Sequence, residues 1–180
     1  MISPYLTLSS RIAYENRWTR VREDRIRHAD GSDGLYGVVE RADFVVIVPW
    51  QDGCVTLVEQ YRYPVGERVW EFPMGMWEHA PGTDPEVLAA AELREETGLV
   101  ADRMTPAGTI FQGPGYCNQR GHIFLATGLT QGDHQRESTE RDMICRSVAL
   151  AEFEAMIRDG TVREAMTMSA FGLLRVKGLL

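Results

Sequence analysis

One short helix with an unusual placement of acidic residues constrains this chain more than any other part of its sequence. Asp84 is a favourable N-cap, and Pro85 suits the first helical position, where its missing N–H has no partner to lose. Gly98 is placed to end the helix in the left-handed conformation. Strong helix formers fill the stretch between these residues, so the sequence predicts a helix between Asp84 and Gly98.

Three carboxylates, those of Glu92, Glu95 and Glu96, fall in the last two turns of this predicted helix. At the negative end of the helix dipole each carboxylate is destabilising by about 0.3–1 kcal/mol. Their i,i+3 and i,i+4 spacing also makes them repel one another. A divalent cation would relieve both effects, and hard oxygen ligands suit Mg²⁺ or Mn²⁺. The alternative is a solvated acidic helix end that binds nothing.

The sequence around these glutamates resembles the Nudix signature: Gly, five residues, Glu, seven residues, then Arg-Glu-apolar-any-Glu-Glu-any-Gly-apolar. Residues 92–99 match at every position, and Gly75 stands for the upstream glycine. Ala91 replaces the arginine, Thr83 replaces the first glutamate, and two extra residues separate Gly75 from Thr83. The resemblance implies a metal-dependent active site in residues 71–99. It also makes Glu95, besides being a metal ligand, a candidate catalytic base.

Two further motifs are similar to the ADP-ribose pyrophosphatase branch of that family. A Gln-aromatic-Arg sequence ends at Arg62, and a Glu-apolar-Pro-apolar-Gly turn runs from Glu71 to Gly75. The resemblance implies that Arg62 contacts a phosphate and that the main-chain carbonyl of Met74 is a metal ligand. Glu71, in the same motif, is included among the candidate substrate-binding residues. The alternative for Arg62 is an ordinary surface salt bridge.

The N-terminal segment around Trp18 resembles the strand of that branch whose aromatic residue stacks on adenine. An adenine favours a flat apolar face with a cation nearby, which Trp18 and Arg20 could supply. Trp18 packed in the core or at a dimer contact is the alternative. In the same branch the N-terminal strands cross to a second subunit, so the resemblance implies a homodimer in which residues 1–40 take part.

An acidic loop at residues 136–143 precedes a predicted strand. Members of the family often place a catalytic glutamate in such a loop. Glu140 is the first candidate for this base and Glu137 the second, while a solvated loop without a catalytic role is the alternative.

The rest of the chain alternates β-rich segments with helices. Residues 43–49 read as a buried strand that turns at Asp52 and Gly53 into the next strand. Amphipathic spacing predicts a helix over Leu150–Arg158, and Thr161 with Glu164 form a capping box that would open a last helix. We therefore predict one domain over residues 1–180. Its fold is α/β, a Nudix-type α/β/α sandwich with a mixed sheet and an N-terminal antiparallel strand region.

Composition limits the partners. The net charge of −7 argues against binding to nucleic acid backbones or anionic membranes. Three scattered cysteines suit a reducing cytoplasm, and neither a secretion signal nor a membrane-length apolar run is apparent. The expected partner is a small nucleoside diphosphate compound. We thus expect a cytoplasmic, Mg²⁺- or Mn²⁺-dependent hydrolase that cleaves ADP-ribose or a nucleotide sugar. A non-catalytic nucleotide-sugar-binding regulator, favoured by Ala91 and Thr83, is the alternative.

Overall fold

The computed structural model describes residues 3–77, 80, 82–133 and 142–180, which form two compact units. Residues 1–43 and 111–120 belong to the first unit, and residues 44–110 and 121–180 to the second. The described helices are all too short or too polar to span a membrane. The elements in chain order are β1 (Tyr5–Glu15), β2 (Arg20–His28), β3 (Asp33–Glu40), β4 (Phe44–Gln51), β5 (Cys54–Arg62), β6 (Glu67–Glu71), β7 (Met74–Gly75), α1 (Pro85–Thr97), β8 (Leu99–Phe111), β9 (Arg120–Gln131), β10 (Ile144–Ala149), α2 (Leu150–Arg158) and α3 (Ala165–Val176).

The first unit contains a three-stranded antiparallel sheet in the order β1-β2-β3. Four of its arginines, among them Arg11, pair with acids on neighbouring strands; Arg11 Nη2 lies 2.6 Å from Glu23 Oε1. This confirms the predicted N-terminal antiparallel strand region, which comprises three strands. All eleven residues of β1 are exposed, including several large apolar side chains.

The second unit is built on a mixed sheet with β4 at its centre. β4 runs parallel to β9 and antiparallel to β7, and a tight turn joins it to β5. Asp52 and Gly53 both have positive φ angles, 51° and 78°, as the predicted two-residue hairpin turn requires. β5 then leaves β4 and pairs with β6 on one side and β10 on the other.

Helices cover both faces of this sheet because β4 is apolar on both sides. Val45 and Ile47 belong to one buried cluster with Leu88 and Leu93 of α1. The alternate residues of β4 point the other way and join a second cluster with residues of α2 and α3, which includes Val46, Val48, Phe153 and Leu174. The predicted α/β sandwich with helices on both sides of a mixed sheet is therefore confirmed.

The predicted capping box at the start of α3 is wrong. Glu164 is itself the N-cap, and its carboxylate accepts hydrogen bonds from the backbone N–H groups of Met166 and Thr167. Thr161 instead lies in the preceding turn, where its N–H donates to Asp159 Oδ1 at 2.9 Å. The helix therefore starts later than the sequence pattern indicates, because a glutamate side chain reached the first free N–H groups directly.

Candidate active site

Helix α1 ends where its sequence predicts. Asp84 Oδ1 accepts a hydrogen bond from Glu86 N at 2.9 Å, and Pro85 opens the helix. Gly98 adopts the left-handed conformation, with φ 74° and ψ 0°, and its N–H donates to Arg94 O. The candidate metal ligands Glu92, Glu95 and Glu96 consequently occupy the last two turns, at the negative end of the helix dipole.

Two of these carboxylates converge on the short strand β7. Glu96 is only 1% exposed, and its Oε2 accepts a hydrogen bond from Met74 N at 3.2 Å. Glu92, 6% exposed, lies against Gly75: a Cβ at that glycine would come within 2.3–2.4 Å of three atoms of the Glu92 carboxyl group. Glu95 is half-buried. Gly75 therefore makes room for a carboxylate that reaches the backbone of β7.

The chemistry of these donors fits a hard divalent cation. Carboxylate oxygens and main-chain carbonyls are the ligands that Mg²⁺ and Mn²⁺ take, and Glu92 and Glu96 are buried beside the strand that contains Met74. Within the described ranges no group of three or more acidic, histidine or cysteine side chains is already arranged to hold a metal ion. The assignment of Glu92, Glu95, Glu96 and the Met74 carbonyl as ligands stays a prediction.

A second cluster links β5 and β6 just before this strand. Glu71 is completely buried, and both of its carboxylate oxygens are used. Gln60 Nε2 donates to Oε1 at 2.8 Å, Arg62 Nη2 lies 2.6 Å from Oε1, and Arg62 Nε donates to Oε2 at 3.2 Å. Arg62 therefore makes an ion pair, but with a buried partner, while its own side chain is 38% exposed. Glu71 is enclosed by these contacts, and its predicted part in substrate binding stays a prediction.

Burial raises the pKa of Glu71 above its ordinary value. The charge of Arg62 and its hydrogen bond oppose that rise, whereas the nearby carboxylate of Glu164 adds to it. Since the folded-state pKa is raised, Glu71 favours the folded protein most at pH values below its unfolded pKa. That contribution is lost as pH rises through the folded value. At neutral pH the charged form of Glu71 therefore lowers the free energy of unfolding.

The backbone between Glu71 and the carboxylate cluster is fixed on both sides. Phe72 N donates to Thr167 Oγ1 at 3.0 Å, and Ile47 N donates to Pro73 O at 2.9 Å. Three residues of chain separate the Cα atoms of Glu71 and Met74 by at most about 10–11 Å. The guanidinium of Arg62 and the carboxylates of Glu92 and Glu96 thus contact opposite ends of one turn whose backbone is hydrogen-bonded on both sides.

In the first unit, Trp18 lies at the tip of the β1–β2 hairpin and is 50% exposed. Asn16 Oδ1 accepts a hydrogen bond from Trp18 N at 2.9 Å, which fixes the turn. The cation beside the indole is Arg17, whose guanidinium carbon lies 3.9 Å from the ring centroid. Arg20, the predicted substrate-binding cation, pairs with Glu15 at 2.6 Å, and its role at a substrate stays a prediction.

Glu137 and Glu140 lie outside the described residues, so their proposed role as base stays a prediction. Two residues next to the predicted site had been given no role: Gln60 at the Glu71 carboxylate and Arg17 at Trp18. The signal for Gln60 was present, because residues two apart on a strand share a face and Gln60 is two before Arg62.

Comparison with known proteins gives consistent matches. A model of the nucleoside diphosphate sugar hydrolase N-terminal domain matches residues 6–39, and a model of the NUDIX domain matches residues 39–167. An ADP-ribose pyrophosphatase of Mycobacterium tuberculosis is 32% identical over 172 residues, covering 94% of this chain and 82% of that protein. One of Bacillus subtilis is 30% identical over 133 residues, 73% of this chain and 71% of its own. The solved structure of an ADP compounds hydrolase has the same fold, with a TM-score of 0.87 at 22% identity over 99% of this chain and 97% of that one.

Proposed function

Since this chain belongs to the Nudix hydrolase family, we propose that it hydrolyses the diphosphate of ADP-ribose and related ADP-sugars. Its general activity is that of a Nudix pyrophosphohydrolase, which cleaves a nucleoside diphosphate linked to another moiety. The observation that carries the proposal is the convergence of two buried carboxylates on β7, one short turn away from the Arg62–Glu71 pair.

Nudix hydrolases generally use divalent metal ions, and we propose Mg²⁺ or Mn²⁺ here. Glu92, Glu95, Glu96 and the Met74 carbonyl would hold the ion. When bound, it would neutralise charge on the diphosphate oxygens and lower the pKa of a water molecule. The donor set of carboxylates and one carbonyl suits either of these two cations.

The side chains supply the remaining steps. The planar guanidinium of Arg62 binds phosphate oxygens through its N–H groups. A carboxylate, Glu95 or the alternatives Glu140 and Glu137, takes a proton from the attacking water. The water oxygen bonds to one phosphorus, and the bridging P–O bond breaks. With ADP-ribose the products are AMP and ribose 5-phosphate.

A substrate panel tests this function. ADP-ribose, ADP-glucose, UDP-glucose, GDP-mannose and ATP are each incubated with the protein and Mg²⁺ or Mn²⁺, with EDTA as control. We expect the highest kcat/KM for ADP-ribose. Running the reaction in ¹⁸O-labelled water shows which product phosphate gains the label, and hence which phosphorus is attacked. Binding without turnover of any compound would contradict the enzyme proposal in favour of a nucleotide-sugar-binding regulator.

Trp18→Ala should raise KM for ADP-ribose about 5- to 150-fold, the equivalent of the roughly 1–3 kcal/mol that a base stacked on an aromatic ring contributes. We infer this role from the exposed indole held by the Asn16 turn. Steady-state kinetics check it, with Trp18→Phe as the control that keeps a stacking face and should retain most of the affinity. An unchanged KM in Trp18→Ala would remove the adenine assignment.

We further propose that the protein is a homodimer in which β1 contacts the second subunit. A contiguous exposed apolar patch often marks an interaction site. This fully exposed strand carries five large apolar side chains: Tyr5, Leu6, Leu8, Ile12 and Tyr14. Sedimentation at micromolar concentration should show a species of twice the 20.3 kDa chain mass. The double variant Leu8→Asp, Ile12→Asp should shift it toward the monomer. A parent protein that sediments as a 20.3 kDa species would refute the dimer.

A further inference from the structure

We propose that Glu71 is a positioning residue, which holds the guanidinium of Arg62 in a fixed orientation with its outer edge ready for diphosphate oxygens. The inference rests on the proposed function, because it names how the phosphate side of that site is prepared. It assigns Glu71 a role behind Arg62 instead of direct contact with the substrate.

The contacts of Arg62 are one-sided. Nε and Nη2 face the Glu71 carboxylate, at 3.2 Å from Oε2 and 2.6 Å from Oε1. Among the described residues, the polar partners of the Arg62 side chain are confined to Glu71. With 38% of the side chain exposed, the edge that carries Nη1 is left for a ligand. A guanidinium has five N–H donors in a planar fork, so the Glu71 contacts leave donors for phosphate oxygens.

A second arginine on the same hairpin provides the contrast. All three nitrogens of Arg68 are engaged: Nε with Glu59 Oε2 at 2.9 Å, Nη1 with Asp142 Oδ2 at 2.7 Å, and Nη2 with the carbonyls of both acids. Arg68 thus fastens parts of the chain to one another. Arg62, six residues away, is held on one edge only, which is the arrangement of a binding group.

The carboxylate of Glu71 is itself held in place. Gln60, on the same face of β5 as Arg62, donates a hydrogen bond to this carboxylate at 2.8 Å. Glu71 itself is completely buried. The next residue, Phe72, is bonded through its N–H to Thr167 of α3. Neither the carboxylate nor the backbone next to it can turn away without breaking one of these hydrogen bonds, so the direction of the guanidinium is fixed before a ligand arrives.

A purely structural role explains this pair poorly. Replacing a buried ion pair by apolar residues of similar volume is often neutral or stabilising, and burial disfavours the charged form of Glu71. A preoriented guanidinium, in contrast, loses less side-chain freedom on binding, which increases affinity. The ion pair is therefore better explained by what Arg62 binds than by what it adds to the core.

The test compares four proteins with the parent: Glu71→Gln, Arg62→Ala, the double variant of both, and Glu59→Gln. Glu59→Gln is the matched control, because it removes the acid of the Arg68 pair on the same two strands. Binding of inorganic pyrophosphate is measured by calorimetry in EDTA, where no metal contributes. In parallel, kcat and KM for ADP-ribose are measured with Mg²⁺, and thermal melts report folding.

We expect Glu71→Gln to weaken pyrophosphate binding and raise KM about tenfold or more, the scale of a lost hydrogen bond between charged groups, with a smaller effect on kcat. Arg62→Ala should do at least as much. The double variant should be no worse than Arg62→Ala, because Glu71 acts through Arg62 and has nothing left to position. Glu59→Gln should bind as the parent does.

Three results would overturn the inference. The first is parental binding and KM in a folded Glu71→Gln. The second is a double variant whose loss is the product of the two single losses, since Glu71 would then act independently. The third is a parent that does not bind pyrophosphate. If Glu71→Gln fails to fold, Gln60→Ala replaces it in the same cycle, with an expected loss of about two- to tenfold. A parent that binds pyrophosphate through Arg62 and Glu71 but hydrolyses no compound would refute the proposed function and leave this inference standing.

Discussion

Replacing Glu96 with Gln should lower turnover about 100-fold or more. Loss of a residue that only hydrogen-bonds to a metal ligand typically lowers activity roughly 10- to 100-fold, and Glu96 is proposed to be a ligand itself. The amide oxygen can still accept the hydrogen bond from Met74 N, so the local structure survives. What is lost is one negative charge in the proposed ligand set. In EDTA the variant should be as stable as the parent or slightly more so, because its repulsion with Glu92 is gone.

Thermal melts with and without Mg²⁺ distinguish the role of the Glu96 carboxylate as a metal ligand from its role as a hydrogen-bond acceptor for Met74 N. A cation at about 100 times its dissociation constant stabilises a protein by roughly 2.7 kcal/mol, or about 5–10 °C for a chain of this size. We expect this gain in the parent and little of it in Glu96→Gln. Glu86→Gln is the control, since that exposed acid lies in the first turn of the same helix. Equal stabilisation of the parent and Glu96→Gln by Mg²⁺ would exclude Glu96 as a ligand.

Gly75→Ala should be nearly as damaging, for a steric reason. The added methyl group would lie 2.3 Å from the carboxyl carbon of Glu92, a distance at which something must move. Either the carboxylate leaves β7 or the strand shifts away from α1. We expect turnover to fall about 10- to 100-fold, together with a loss of about 1–3 kcal/mol in the free energy of unfolding, typical of overpacking.

Gly172→Ala is the control for the glycine substitution, because a Cβ there meets no heavy atom within 4 Å. It lies within helix α3, where alanine is favoured over glycine by about 0.5–1 kcal/mol. This control should therefore raise the melting temperature and leave turnover unchanged. If Gly75→Ala keeps parental activity, the close approach of Glu92 to β7 is not needed for catalysis.

The sequence by itself determined the features that depend on near neighbours along the chain. The limits of α1 follow from Asp84, Pro85 and Gly98, whose effects act within one turn of helix. The two-faced burial of β4 follows from an unbroken apolar run that only a doubly covered strand can hide. The grouping of Glu92 and Glu96 on one side of α1 follows from helical spacing alone.

The tertiary structure decided which partner each polar group takes when several are available. The sequence predicts Arg20 as the cation near Trp18, whereas in the fold Arg20 pairs with Glu15 and Arg17 lies over the indole ring. The sequence offers Thr161 and Glu164 as caps of α3, and the chain uses the one that reaches the free N–H groups.

Glu71 shows most clearly that the partner of a polar group depends on the tertiary structure. Its position in a motif indicates proximity to a substrate, yet the pairing of β6 with β5 buries it beneath Arg62 and Gln60. Strand pairing brings together residues nine and eleven positions apart in the sequence. Whether a carboxylate then meets solvent, substrate or a guanidinium depends on the side chains packed over it, because burial and hydrogen-bond partners are set by contacts that no local pattern encodes.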